Sequence, residues 1–74
     1  MAVDRDDGAP ALTEGELACI RPLIEGKTDS EIARALNIAE ATAHWRIERA
    51  KKKFDARTRA QLTGLAVAGG YVRP

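Results

Sequence analysis

Apolar residues recur at helical spacing along this chain, and helix-capping signals precede most of the periodic stretches. The first stretch begins at Thr13, which forms a Thr-x-x-Glu capping box with Glu16. It ends at Gly26, a residue suited to the left-handed conformation that closes many helices. Three apolar residues of this stretch share one face: Leu17, Ile20 and Ile24. The pattern predicts a first helix between Thr13 and Gly26.

Pro22 lies inside this predicted helix, where a proline removes one hydrogen bond and its ring clashes with the carbonyl of Ala18. Because such a proline costs about 3 kcal/mol, we expect a kink or a 3₁₀ break there. Cys19, the single cysteine, is expected to be a small buried apolar residue, since no base at a defined spacing would activate its thiol.

A second and a third helix follow, separated by a tight turn. Thr28 and Glu31 repeat the capping box, and the second helix is expected to end at Asn37, which tolerates the left-handed conformation. The third helix is predicted from about Glu40 to Phe54. Its apolar stripe consists of Ala43, Ile47, Ala50 and Phe54. A short helix, a three-residue turn and a longer basic helix form a helix-turn-helix arrangement.

A fourth helix is predicted from about Arg59 to Ala68, with Thr58 as its cap and Gly69-Gly70 as its end. Four residues are expected to face the core: Leu62, Leu65, Ala66 and Gly69. A second face carries small residues: Ala60, Gly64, Val67 and Ala68. Either this face is where a second helix approaches closely in a dimer, or it reflects chance in an alanine-rich segment.

The resulting fold class is all-α, a four-helix bundle that contains a helix-turn-helix. Residues 1–11 are charged and lack apolar periodicity, so we expect a disordered tail or linker before a domain at 12–74. Tyr71 and Val72 are expected to fold back as a short apolar tail.

Charge is distributed unevenly between the two halves of the chain. Residues 1–40 hold four basic and nine acidic residues, whereas residues 41–74 hold eight basic and two acidic ones. This asymmetry predicts a polyanionic partner for the second half. With 74 residues there is little room for a substrate cleft, so an enzyme is disfavoured and no cofactor or metal is expected. A single cysteine and no long apolar run suggest a cytoplasmic location and no membrane contact.

From residue 12 to residue 72 the chain resembles the LuxR-type (GerE-like) C-terminal DNA-binding domain, and within it most closely the TraR-like quorum-sensing regulators. The resemblance rests on ordered residues that include Glu25-Gly26-Lys27-Thr28, Glu31-Ile32-Ala33, Leu36-Asn37-Ile38, Lys53-Phe54 and Arg59. It implies that the third helix enters the DNA major groove and that the fourth helix forms a dimer contact. Ala43, Ala50 and Pro22 depart from the usual family pattern, which affects stability more than function.

Three residues on the outer side of the third helix are candidates for reading bases: His44, Trp45 and Glu48. Trp45 either joins the core or contacts a thymine methyl group, and its position about 200° from Ala43 favours the groove. His44 either reaches guanine N7 or a phosphate, or is a solvated surface residue. Glu48 either pairs with Lys52 on the same helix or accepts a hydrogen bond from cytosine N4.

Basic and hydroxyl side chains are expected to contact DNA phosphates, although a charge run is often only a solvated face. The candidates are Lys27, Thr28, Thr42, Arg46, Arg49, Lys51 and Lys52. Arg59 is expected to be structural, tying the fourth helix to backbone carbonyls or to Glu16.

The expected function is therefore a DNA-binding transcriptional regulator. Its partners would be double-stranded DNA and a second copy of the chain, with no small-molecule ligand in this chain. An alternative is a short family member without a sensor domain, which pairs with a full-length regulator as a heterodimer and inhibits it.

Overall fold

The computed structural model describes residues 10–72, which form four α-helices and no strand in that part of the chain. The helices are α1 (Glu14–Ile24), α2 (Asp29–Leu36), α3 (Glu40–Phe54) and α4 (Arg59–Ala68). The predicted all-α fold with a helix-turn-helix is confirmed, and α2 and α3 are its two helices. Helix α3 packs against each of the other three helices.

Local capping explains where the first two helices begin and end. Thr13 and Glu16 form the predicted capping box of α1, and Thr28 and Glu31 form that of α2. Gly26 has a φ of 88° after α1, and Asn37 has a φ of 57° after α2. Both residues therefore occupy the left-handed region, as predicted, and the chain reverses direction after each helix.

Helix α1 continues through Pro22 to Ile24, so the predicted 3₁₀ break is wrong, while the kink stays a prediction. The helix ends two residues after the proline. The Pro22 carbonyl accepts hydrogen bonds from the backbone N–H groups of Glu25 and Lys27. Together with the bond from the Gly26 N–H to the Leu23 carbonyl, this closes the helix with a Schellman motif.

The core lies where α3 meets its neighbours, and the predicted α3 stripe is confirmed. Ala43, Ile47 and Ala50 are fully buried, and Phe54 packs against them at the edge. Tyr71 meets Phe54 edge-on at 5.2 Å between ring centroids, and Val72 is buried, so the chain folds back after α4 as expected. The remaining buried apolar residues are Cys19, Ile20, Ile32, Ala33, Leu62 and Ala66.

Helix α4 buries a narrower face than predicted. Leu62 and Ala66 are fully buried, but Leu65 is 42% exposed and Gly69 is exposed, so the expectation that both face the core is wrong. Leu65 lies about 100° around the helix from Ala66, beyond the edge of a stripe only two residues long. The second face is exposed at three of its four residues, while Val67 is half-buried.

Of the predicted tail, residues 1–9 lie outside the described residues. Its last two residues, Pro10 and Ala11, contact the helical part of the chain. The hydroxyl of Tyr71 donates to the Pro10 carbonyl, and the ammonium of Lys53 donates to the Ala11 carbonyl at 3.0 Å.

Candidate nucleic-acid interface

The face of α3 that points away from the core carries Trp45 and Lys52. Trp45 is 56% exposed and Lys52 is exposed, whereas Ala43 and Ile47 on the opposite side are fully buried. The structure thus excludes the alternative in which Trp45 is a core residue. Trp45 thus leaves a flat apolar ring exposed on the longest of the four described helices.

Arg49 lies beside Trp45 on this face and connects it to α1. Its guanidinium carbon is 4.9 Å from the centre of the Trp45 ring, within the range of a cation–π contact. Its Nε is 3.5 Å from Oε2 of Glu16, and half of its side chain is exposed. Arg49 therefore combines an internal contact with a positive charge that still reaches solvent.

Glu16 links the start of α1 to the end of α3. Glu16 is buried, with only 2% of its surface exposed. Its carboxylate accepts hydrogen bonds from the Thr13 N–H at 2.9 Å and from the Lys53 ammonium at 2.7 Å. Burial by itself raises the pKa of Glu16, but the bonds from Lys53 and Thr13, with a smaller contribution from Arg49, lower it below its ordinary value. The ionised carboxylate thus holds the basic end of α3 against α1.

A second ion pair lies on the other flank of α3. Arg59, at the start of α4, donates two parallel hydrogen bonds to the carboxylate of Asp29, at the start of α2, and its Nη2 is 3.0 Å from Oδ2. The Arg59 guanidinium is the main cause of the lowered pKa of Asp29, and Asp29 in turn raises the pKa of Arg59. Arg59 has a structural role, as expected, but the prediction that it pairs with Glu16 is wrong, because its partner is Asp29.

His44 joins this second ion pair through one ring nitrogen. Nδ1 lies 3.0 Å from Oδ2 of Asp29 and 3.1 Å from Nη2 of Arg59. Even so, 58% of the His44 side chain is exposed, so the ring remains open to solvent beyond these contacts.

Glu48 is paired differently from the prediction. Its carboxylate lies 3.3 Å from the ammonium of Lys51 and 3.9 Å from Nη2 of Arg59, while the expected partner Lys52 makes no such contact among the described residues. Lys51 lies three residues after Glu48 on the same helix and is half-buried, whereas Lys52 is exposed.

Arg46 faces α1 and is half-buried. A Cβ at Gly15 would lie 3.0 Å from the guanidinium carbon of Arg46, so the absence of a side chain at Gly15 makes room for the arginine. Position 46 follows Trp45 by about 100° around the helix, which turns it toward α1. Its predicted role at a phosphate therefore has no support from its placement.

The other three phosphate candidates lie at helix starts. Lys27 and Thr28 are exposed at the start of α2, and Thr42 is half-buried in the first turn of α3. The Thr28 hydroxyl oxygen already accepts the Glu31 N–H at 3.1 Å as part of the capping box.

The sequence did not predict the ion pairs of two residues that organise the site, namely Asp29 and Lys53. Asp29 resembles an ordinary acidic residue in the first turn of a helix, and Lys53 is the last member of a charge run. Their partners are 30 and 37 positions away, so no local spacing could reveal the pairs.

Nowhere in residues 10–72 do three histidine, cysteine or acidic side chains gather in a way that would hold a metal ion. In the same range no helix is long and apolar enough to span a membrane.

A short helix, a tight turn and a longer helix with an exposed basic face define a helix-turn-helix protein. Residues 10–66 match the family described as bacterial regulatory proteins, luxR family, and the chain belongs to that family. This confirms the resemblance seen in the sequence.

Three relatives show what kind of protein carries such a domain. The chain is 38% identical over 63 residues to the transcriptional activator protein VanR of Vibrio anguillarum, covering 85% of this chain and 26% of VanR. It is 32% identical over 74 residues to the transcriptional activator protein AhyR of Aeromonas hydrophila, covering 100% of this chain and 28% of AhyR. It is 35% identical over 69 residues to the HTH-type quorum sensing-dependent transcriptional regulator VjbR of Brucella abortus, covering 93% of this chain and 27% of VjbR. The chain spans about a quarter of the length of these relatives, all of which are transcriptional regulators.

Proposed function

We propose that this chain is the DNA-binding part of a transcriptional regulator and that α3 lies in the major groove of duplex DNA. The observation that carries the proposal is the exposed face of α3, where Trp45, Arg49 and Lys52 stand opposite the buried stripe. An α-helix fits the major groove, and positive side chains on its outer face attract the phosphates on either side. Membership of the luxR family and relatives named as transcriptional regulators support the same function.

For base contacts we assign roles to Trp45, Glu48 and His44. Trp45 offers a flat apolar surface, which suits the methyl group of thymine. The Glu48 carboxylate is an acceptor suited to the N4 amino group of cytosine, and Lys51 beside it offsets part of its repulsion from phosphates. The open part of the His44 ring is available to a base or a phosphate.

For phosphate contacts we assign the exposed or partly exposed donors and leave out Arg46, because its guanidinium packs over Gly15. Such contacts fix the position of the helix without reading sequence. The assigned residues are Lys27, Thr28, Thr42, Arg49, Lys51 and Lys52.

We further propose that α4 forms the contact between two copies of the chain on DNA. Ala60, Gly64 and Ala68 are exposed on one side of the helix, and Leu65 exposes 42% of its surface beside them. A Cβ at Gly64 would meet nothing within 4 Å, so a larger side chain fits the single chain. Gly64→Leu should therefore leave the fold intact and abolish the two-chain complex on a two-fold-symmetric duplex. Unchanged formation of that complex would rule out this face.

The function is tested by selecting duplexes from a random pool with the 74-residue chain and sequencing what is retained. We expect one enriched half-site. Glu48→Ala should lose preference at a cytosine position, and Trp45→Ala should lose it at a thymine position. A matched control is Arg21→Ala on the exposed outer side of α1, which should select the same site as the unchanged chain. No enrichment over the starting pool would contradict the proposal.

A further inference from the structure

The ring of His44 is held at a point where three helices meet. Its Nδ1 lies 3.0 Å from Oδ2 of Asp29 on α2 and 3.1 Å from Nη2 of Arg59 on α4. Both neighbours are the first residues of their helices, and His44 itself lies on the exposed part of α3. The imidazole therefore has a fixed inner edge and an outer edge that faces solvent.

The two neighbours of Nδ1 make opposite demands on it. The Asp29 carboxylate is an acceptor and favours a proton on Nδ1, whereas the Arg59 guanidinium is a donor and favours a bare nitrogen. Arg59 already directs two hydrogen bonds to Asp29, and its Nη2 also lies 3.9 Å from a Glu48 oxygen. Glu48 is itself paired with the Lys51 ammonium at 3.3 Å, so two carboxylates and two cations lie on the elements around the ring. Because Arg59 already directs its hydrogen bonds to Asp29, the Asp29 carboxylate at 3.0 Å from Nδ1 favours the form in which Nδ1 carries the proton.

All hydrogen bonds of the ring within residues 10–72 involve Nδ1, which leaves Nε2 for the outside. When Nδ1 carries the only proton, Nε2 is an acceptor and suits the amino groups of adenine or cytosine. When the ring gains a second proton, Nε2 becomes a charged donor and suits guanine N7 or a phosphate. A single protonation therefore reverses what the ring can recognise.

We propose that Asp29 is a positioning residue that holds His44 in the Nδ1–H form, so that Nε2 of the neutral ring meets DNA as an acceptor and Nε2 of the protonated ring meets it as a charged donor. The proposal rests on the proposed function, because it requires α3 to lie against DNA. Asp29 can keep this role in mild acid, since the Arg59 guanidinium holds the pKa of its carboxyl below the ordinary value.

The first test needs no DNA. His44 is the single histidine of the chain, so its ring nitrogens give an unambiguous ¹⁵N NMR signal whose shifts distinguish the two neutral forms. At pH 8 we expect the Nδ1–H form in the unchanged chain. Asp29→Ala leaves Arg59 as the only close partner among residues 10–72 and should convert the ring to the Nε2–H form.

Glu14→Ala is the matched control, because Glu14 is also the acidic first residue of a helix and is exposed. It should leave the ring in the Nδ1–H form. The Nε2–H form in the unchanged chain would overturn the proposal even if Asp29→Ala failed to fold. The same form in the unchanged chain and in folded Asp29→Ala would overturn it as well.

The second test measures affinity for the selected duplex between pH 8 and pH 5.5. One added charge at a phosphate should raise affinity about fivefold to tenfold near 0.1 M salt and steepen the slope of log affinity against log salt by about 0.9. His44→Gln should show neither change. An equal response to pH in both proteins would overturn the coupling of His44 to DNA. If no duplex is bound at any pH, the proposed function fails, while the NMR result still decides whether Asp29 positions the ring.

Discussion

Replacing Glu16 by glutamine should destabilise the domain, although the two side chains have nearly the same shape. Glu16 is 2% exposed and combines two tasks: it completes the capping box of α1 and accepts the ammonium of Lys53 at 2.7 Å. Glutamine keeps an oxygen for the Thr13 N–H, so the capping box survives. Glutamine is neutral, however, so the negative charge that holds Lys53 and Arg49 is lost.

The size of the effect follows from what is lost. A hydrogen bond to a charged group contributes about 1.5–3 kcal/mol. Lys53 exposes 26% of its side chain and Arg49 exposes 50%, so solvent screens part of both interactions. We therefore expect a loss of about 1–2 kcal/mol in the free energy of unfolding. For a domain of this size that corresponds to a decrease in Tm of roughly 5–15 °C.

Urea titration followed by far-UV circular dichroism measures this loss, because the helices report unfolding directly. Glu14→Gln is the control, since Glu14 is exposed in the same helix and the same turn. It should change the free energy of unfolding by less than about 0.5 kcal/mol. A Glu16→Gln protein as stable as this control would refute the assigned role of the buried carboxylate.

The same carboxylate predicts how stability depends on pH. Its pKa is lowered in the folded chain, so the unfolded chain binds the proton more readily and acid favours unfolding. The contribution of Glu16 is complete above its unfolded pKa, ordinarily about 4.3, and is lost as the pH falls through the lower folded pKa. The difference in stability between the unchanged chain and Glu16→Gln should therefore shrink below about pH 4. A difference that stays constant down to pH 3 would contradict this linkage.

Two further predictions concern the fold. Ile47→Ala removes a fully buried side chain from the middle of α3 and should cost about 2–5 kcal/mol, measured by urea unfolding; a cost below about 1 kcal/mol would contradict its central position. Gly26→Ala places a Cβ at a φ of 88°, which costs roughly 1–2 kcal/mol, and a gain in Tm would show that the turn after α1 is not left-handed.

Much of the fold could be predicted because its boundaries depend on nearby residues. The caps of α1 and α2 act across three residues, and the ends at Gly26 and Asn37 depend on the conformational freedom of single residues. The stripe of α3 is equally local, since Ala43 and Ile47 differ by one helical turn. The 3₁₀ break expected at Pro22 was wrong, because α1 continues through the proline to Ile24.

The site was predicted less completely because its geometry depends on pairs that are distant in sequence. The exposed position of Trp45 could be predicted from helical spacing alone. The partner of Arg59 could not, because Asp29 and Glu16 are both acidic residues in the first turn of a helix. Leu65 was assigned to the core by its hydrophobicity, but the narrow contact of α4 with the rest of the domain leaves it exposed.

The most direct test of the account is the salt dependence of binding to duplex DNA, measured by fluorescence anisotropy of a labelled duplex. If two to four phosphates are contacted per chain, log affinity should fall with log salt at a slope of about −2 to −4, and Lys52→Ala should reduce the steepness by about 0.9. Arg21→Ala, which removes the same charge from α1, should leave the slope unchanged. A slope near zero, or unchanged binding when Lys52→Ala is combined with Arg49→Ala, would contradict the assignment of α3 as the DNA-binding helix.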